Sequence, residues 1–259
     1  IYSVSGLLTE KEPLVKIRPF RTPHHTVSVQ ALTGGGRRPK PGEISLATGG
    51  ILFLDELPEF SRAALETLRQ PLEDREVTVS RVEATVTYPA NFQLVAAMNP
   101  CPCGHFPDLA RCRCTEGQIT RYLQKISGPL LDRIDLCVEA SPVTYGDIRG
   151  GGENEDSGAI RARVEQAREI QKERFMEENI RCNGEMAGRH IRKYCVLGKE
   201  EETFMEEIFE KLALSARMHD RILKVARTTA DLAGASEIRL SDLCEAVSYV
   251  KSREKFWGN

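Results

Sequence analysis

The chain has 259 residues, 41% hydrophobic and 29% charged, which excludes disordered and collagen-like architectures and leaves material for a sizeable core. The 36 Lys and Arg against 38 Asp and Glu give a net charge of -2, so no global positive field advertises nucleic acid, and any DNA-binding surface must be local. No apolar run approaches the roughly 20 residues of a membrane span, and no basic-then-apolar leader opens the chain, so a cytoplasmic protein without a membrane partner is expected.

The first residue is Ile1 rather than Met, and sequence upstream of it is expected. Residues 1–146 mix short apolar runs with Gly and Pro. Behind Gly49-Gly50, the run Ile51-Leu-Phe-Leu54 suits a strand buried on both faces of a parallel sheet. Arg62 to Leu72 reads as one helix. Val77 to Tyr88 alternates β-branched residues around a polar centre and predicts a β-hairpin with its tip near Arg81 to Glu83. Phe92 to Met98 is a second buried strand, and Ile134 to Val138 a weaker third, interrupted by Asp135. Residues 147–158 are rich in Gly and acids and read as a linker. Beyond them the spacing turns helical: Ile160, Val164, Ala167, Ile170 and Phe175; Phe204, Ile208 and Leu212; Ile222, Val225, Ala226 and Leu232; then Leu243, Ala246, Val247 and Val250 behind Ser241 as a cap.

The sharpest chemical signal is Asp55-Glu56 at the end of the first strand. A buried strand ending in two carboxylates delivers them to the edge where α/β sheets bind ligands. In a nucleotide hydrolase the first holds Mg²⁺ through water and the second polarises the attacking water. Asn99, ending the second strand, would place an amide beside the same site, and Arg133 precedes the third. The bland readings are an acidic turn, an Asn-Pro turn and a surface ion pair of Arg133 with Asp132 or Asp135.

Of eight cysteines, Cys101, Cys103, Cys112 and Cys114 form C-x-C-x8-C-x-C, with His105 as a spare ligand. Two close pairs can close a tetrahedral thiolate site suited to Zn²⁺; free buried or redox-active thiols are the alternative. Cys137, Cys182, Cys195 and Cys244 read as buried small apolar residues. His24-His25 lack acidic or thiol neighbours at ligand spacing and read as positioning or stacking residues.

Longer blocks carry a resemblance. Phe20-Arg-Thr-Pro-His-His-Thr26, Pro41-Gly-Glu-Ile-Ser-Leu46, Gly50 to Phe60, Leu68-Arg-Gln-Pro-Leu-Glu-Asp74, Asn99-Pro-Cys-Pro-Cys-Gly104, Ser127 to Leu136 and Leu214 to Arg227 closely resemble the magnesium-chelatase-like AAA+ ATPases of the ComM/YifB type. The resemblance covers nearly the whole chain. It implies that Asp55 and Glu56 are a Walker B pair acting with ATP and Mg²⁺, that Asn99 is sensor 1, and that Arg217 is the sensor 2 arginine of a helical lid. It further implies that Arg133 is an arginine finger reaching a neighbour in a homo-oligomeric ring, a hexamer, and that the hairpin projects into the ring's pore with Arg81 touching a phosphate backbone. Arg37, Arg38 and Lys40, on a Gly-rich loop, could form a second DNA contact. For both basic elements a plain solvated loop is the alternative.

The chain departs from the family pattern in one respect: no Gly-x-x-x-x-Gly-Lys-Ser/Thr occurs in it, and Gly198-Lys199-Glu200 lacks the glycines and hydroxyl of such a loop. The expectation is therefore a carboxy-terminal fragment, inactive alone. Its fold is an α/β AAA+ parallel sheet, incomplete without its first strand and Walker A loop, with a β-hairpin insertion (1–146), a linker (147–158) and an all-α lid (159–259). The resemblance implies an ATP-driven motor on DNA, for branch migration or helicase activity in recombination and natural transformation. The rivals are a chelatase-type motor remodelling a protein partner and a zinc-stabilised interaction module without activity.

Overall fold

A computed structural model describes residues 1–8, 10, 13–37, 39–81, 84–141, 143, 145–149 and 155–257. They fall into two compact units, Ile1–Ile134 and Asp135–Asn259. Arg38, the hairpin residues Val82 and Glu83, and residues 150–154 of the Gly-rich stretch lie outside the described residues.

In the first unit the strands are β1 (Phe20–Arg21), β2 (Gly34–Gly35), β3 (Lys40–Pro41), β4 (Ile51–Leu54), β5 (Glu76–Ser80), β6 (Thr85–Pro89) and β7 (Gln93–Ala96). A parallel sheet has the order β1-β4-β7, with Phe20 beside Ile51 and Phe53 beside Val95. Two antiparallel ladders, β2-β3 and β5-β6, stand apart from it. The expected hairpin is therefore β5-β6.

Leu52 and Leu54 are fully buried, as are Leu32, Ile44, Leu65, Leu68 and Leu130. The other face of β4 is different: Ile51 and Phe53 are half-buried, and Phe53 stacks on Phe20, which is 61% exposed. The expectation that β4 is buried on both faces is thus corrected, and so is the expected burial of β7, where Gln93, Val95 and Ala96 are exposed and Leu94 is half-buried, as befits an edge strand. The expected single helix over Arg62 to Leu72 is two, Arg62–Glu66 and Arg69–Asp74. Pro71 explains the break, because a proline ring clashes with the carbonyl four residues earlier, here Thr67. Ile134 to Val138 forms no strand among the described residues. Leu136 and Val138 are exposed, and Asp135 is drawn into an ion pair with Arg221 at 3.0 Å.

The second unit is helical among its described residues: Tyr145–Arg149, Ser157–Arg174, Gly188–Tyr194, Lys199–Lys211, Ala216–Leu232 and Leu240–Trp257, plus a short 3-10 turn at Asn183–Glu185. Phe175, Ile208, Ile222, Ala226, Leu243 and Val247 meet in one core. Ser241 is not the cap of the last helix but lies inside it; the Asp242 carboxylate accepts instead from the Arg239 N–H at 2.9 Å, doing the cap's work from within the first turn. Ile160 and Val164 keep helical spacing yet are 43% and 41% exposed. Of the four scattered cysteines only Cys195 is buried; Cys137 and Cys182 are intermediate and Cys244 is exposed, so as a group they are not core residues. No helix among the described residues is long and apolar enough to cross a membrane.

Candidate nucleotide site at the carboxyl edge of the sheet

Gly50 sets the start of β4, since a Cβ there would lie 1.9 Å from the Pro19 carbonyl oxygen. With that clearance the Ile51 N–H donates to Pro19 O at 2.8 Å and β1 pairs with β4. Being parallel, β1, β4 and β7 all end on one edge, and the residues just past their ends gather there: His24 and His25 after β1, Asp55 and Glu56 after β4, Asn99 after β7. The turn after β4 is pinned over the end of β7, the Ala97 N–H donating to Leu54 O at 2.9 Å and the Leu57 N–H to Ala97 O at 3.0 Å.

Glu56 sits in the left-handed region, φ 53° and ψ 47°. Such a backbone costs about 1–3 kcal/mol for a non-glycine residue. Burial of Leu52 and Leu54 on the preceding strand, worth about 1.5–3 kcal/mol each, outweighs it. The result is an exposed carboxylate pair in a fixed turn: the Glu56 N–H donates to Asp55 Oδ1 at 2.9 Å. Glu56 Oε2 lies 3.0 Å from His25 Nδ1. The His25 ring is set by its neighbours, with His24 at 4.0 Å between centroids and Phe60 edge-on at 6.4 Å. The His24 and His25 rings are close but tilted by 36° rather than stacked, and the contact of His25 with Glu56 was not foreseen. A two-residue strand shows no periodicity, so no sequence pattern signals that Pro-His-His lies beside Asp-Glu.

Asn99 is exposed, and its amide rests against Gly104, whose Cβ position would be 3.7–3.9 Å from the Asn99 side chain. Gly104 closes a tight turn through its N–H to Cys101 O at 3.0 Å, with φ +79°, a conformation that favours glycine. The sulfurs of Cys101 and Cys103 in that turn and of Cys112 and Cys114 from the following segment all lie within 4.8 Å of one another. His105 is not one of that group. Cys101 Sγ is 3.4 Å from Cys103 Sγ and 3.8 Å from Cys112 Sγ, and the last two are 3.6 Å apart. A disulfide requires about 2.0 Å, so these are free thiols.

The thiols differ electrostatically. Backbone N–H groups of His105 and Arg113 lower the Cys103 thiol to about 6. Desolvation and the neighbouring sulfurs of Cys103 and Cys101 push Cys114 up to about 12. Tyr122, on the helix Glu116–Leu123, lines a cleft of about 290 Å³ with Glu59, Pro102 and Cys114. Burial, then Glu59, Cys101 and Glu56, raises its phenol to about 12. Its nearness to Glu56 is a second feature that sequence reasoning missed.

Arg133 is engaged within the chain: it donates to Pro129 O at 2.6 Å and pairs with Glu73, its side chain only 16% exposed. The partner is thus Glu73 rather than Asp132 or Asp135. Arg217 is exposed on the helix Ala216–Leu232 of the second unit. The basic residues draw together from two elements. Arg81 closes β5-β6 through its N–H to Ala84 O at 2.9 Å, and its guanidinium lies 3.0 Å from the Cβ position of Gly35 in β2. Tyr88 of β6 donates to Pro39 O at 2.8 Å. The Gly-rich segment is therefore a short ladder beside the hairpin, with Arg37, Lys40 and Arg81 exposed.

Two family profiles cover the chain, "Magnesium chelatase, subunit ChlI" over residues 1–148 and "Magnesium chelatase, subunit ChlI C-terminal" over residues 154–250. The chain is 49% identical over 235 residues to the competence protein ComM of Haemophilus influenzae, covering 90% of this chain and 45% of that protein. It is 48% identical over 233 residues to the uncharacterized protein YifB of Salmonella typhimurium and 47% identical over 233 residues to YifB of Escherichia coli, again covering 90% of this chain and 45% of each relative. The chain thus spans about half the length of the curated relatives it matches. Two profiles in tandem, identity near one half to ComM and YifB, and paired carboxylates ending the central strand lead to one assignment: the chain belongs to the magnesium-chelatase-like AAA+ ATPase family of the ComM/YifB type.

Proposed function

We propose that these 259 residues work within a longer, ring-forming ATPase that acts on DNA, in branch migration or unwinding during recombination and natural transformation. The observation that carries the ATPase part is the convergence of Asp55, Glu56 and Asn99 at one sheet edge. Of the groups that a Mg²⁺–ATP complex requires, the chain supplies these; a glycine-rich phosphate loop is not among its residues. When bound, Mg²⁺ neutralises charge on the phosphate oxygens. Asp55 would hold it and Glu56 would take the proton of the attacking water. Asn99 would orient that water or the terminal phosphate. His25 holds the Glu56 carboxylate, so His25→Ala should lower turnover in the whole protein about tenfold, the equivalent of about 1.4 kcal/mol, with nucleotide affinity unchanged. Equal kinetics in both proteins would remove His25 from the site.

Arg133 would act on a neighbouring subunit's phosphate after leaving Glu73, and Arg217 would close the lid on the nucleotide. The division into a core (1–146), a linker (147–158) and a helical lid (159–259) rests on the profile bounds at 148 and 154; the compact units part earlier, at Ile134 and Asp135, and the helices Tyr145–Arg149 and Ser157–Arg174 occupy both ends of the linker. The four-cysteine group would hold one structural Zn²⁺.

The DNA part rests on the two adjoining basic hairpins and on the likeness to a competence protein. Arg81→Ala in the assembled protein should weaken DNA binding alike across sequences. The slope of log affinity against log salt should flatten by about 0.9 for each duplex phosphate that is no longer neutralised. Unwinding should fall more than basal ATP hydrolysis. Unchanged affinity, slope and unwinding would favour the second reading, a motor that remodels a protein partner, which the chelatase profiles support.

A further inference from the structure

We propose that the four-cysteine centre, once loaded with a tetrahedral thiophilic cation such as Zn²⁺, positions the Asn99 amide at the carboxyl edge of the sheet. The inference rests on the nucleotide-site reading and goes beyond a purely structural metal.

Four sulfurs about 2.3 Å from a central Zn²⁺ define a tetrahedron with edges of about 3.8 Å. The edges measured among Cys101, Cys103 and Cys112 are 3.4, 3.6 and 3.8 Å, and the fourth sulfur lies within 4.8 Å of all three. The Phe106 N–H donates to Cys101 Sγ at 3.4 Å, the kind of outer contact that orients a thiolate ligand. Cys101 is fully buried. The centre is therefore a built site drawn from two chain segments eleven residues apart, and a cation joining them fixes the turn between Asn99 and Gly104.

Asn99 stands two residues before Cys101, with its side chain 3.7–3.9 Å from the position a Cβ of Gly104, one residue after Cys103, would occupy. Asn99 is itself exposed, and among the described residues no side-chain hydrogen bond orients its amide. Its placement comes from the turn, and the turn's geometry from the sulfurs. Without the cation the four adjoining thiols are not tied together, and the Cys101–Gly104 turn, left with the Gly104 N–H to Cys101 O hydrogen bond, is freer to open and to displace the amide from the sheet edge. The chemistry favours a cation that prefers four soft ligands and takes no part in redox reactions, as Zn²⁺ does.

The 259-residue chain, purified without chelator, should carry about one Zn²⁺, and replacement with Co²⁺ should give the sulfur-to-metal charge-transfer absorption of tetrahedral thiolate. A metal-free chain that gives no such absorption overturns both the metal reading and the inference. Amide hydrogen exchange should be at least about tenfold slower over residues 97–104 in the loaded chain than after chelation. Loaded and stripped chains that exchange alike there overturn the positioning inference and leave the metal reading standing. In the whole protein, stripping the thiolate-bound metal, removing the chelator and assaying in excess Mg²⁺ should lower turnover by about tenfold without changing nucleotide affinity, and it should have little further effect on the Asn99→Ala variant. Equal slowing of wild type and Asn99→Ala would mean that the metal acts elsewhere, and the inference fails. Failure of the nucleotide reading is separate: it shows as unchanged turnover in Glu56→Gln, whereas the exchange measurement needs no turnover.

Discussion

Glu56→Gln should reduce ATP turnover in the whole protein by about 10²–10⁴-fold, the loss typical of removing a general base, while ATP binding is retained. The substitution keeps the shape of the side chain and its exposure at the end of β4, and it leaves Asp55 to accept from the backbone N–H of residue 56. What it removes is the carboxylate that faces His25 Nδ1 at 3.0 Å. Steady-state phosphate release, with nucleotide binding measured in parallel, separates the two effects. A variant that turns over normally would mean that the exposed pair is only an acidic turn.

The second large effect is on stability, in the helical unit. Asp231, with a fully buried side chain, accepts from both Nη atoms of Arg174, from Arg227 Nε at 3.1 Å and from Asn183 Nδ2 at 2.8 Å. It thereby joins the helix Ser157–Arg174, the turn at Asn183 and its own helix. Arg227 also donates to the carbonyls of Ser236 and Ala235 at 2.9 and 2.6 Å. Removing one partner leaves buried guanidinium charge uncompensated, at a cost of about 3–5 kcal/mol. Asp231→Ala should therefore lower the unfolding free energy by that amount, seen as a lower denaturation midpoint with an unchanged m value. A loss below about 1 kcal/mol would show that water or the nearby carbonyls satisfy the arginines. Replacing a surface pair such as Lys172 with Glu169 should change stability by about 0–1 kcal/mol, which sets the scale.

Legibility in the sequence followed the length of each signal. The runs ending in Asp55 and Asn99 marked two of three parallel strands, and alternation from Val77 to Tyr88 marked the hairpin. Helical spacing marked the four longest helices of the second unit but not the short ones at Tyr145–Arg149 and Gly188–Tyr194, and for Ile160 and Val164 it did not mean burial. β1 was invisible because two residues carry no pattern, and with it went the approach of His25 to Glu56. Ile134 to Val138 looked like a strand by composition, yet Asp135 takes an ion pair with Arg221 that no local rule reveals. The cysteine spacing announced a cluster; that Gly104 carries it against Asn99 depends on a backbone turn. The partner of Arg133 likewise came from 60 residues away, not from its neighbours Asp132 and Asp135.

Steady-state ATP hydrolysis by the whole protein, measured with Mg²⁺ in the absence and presence of single-stranded and branched DNA, tests the central claim most directly. The account predicts Mg²⁺-dependent hydrolysis that DNA stimulates, abolished by Glu56→Gln and with its DNA stimulation blunted by Arg81→Ala. Hydrolysis indifferent to every DNA but raised by a protein partner, or no hydrolysis at all, would contradict it.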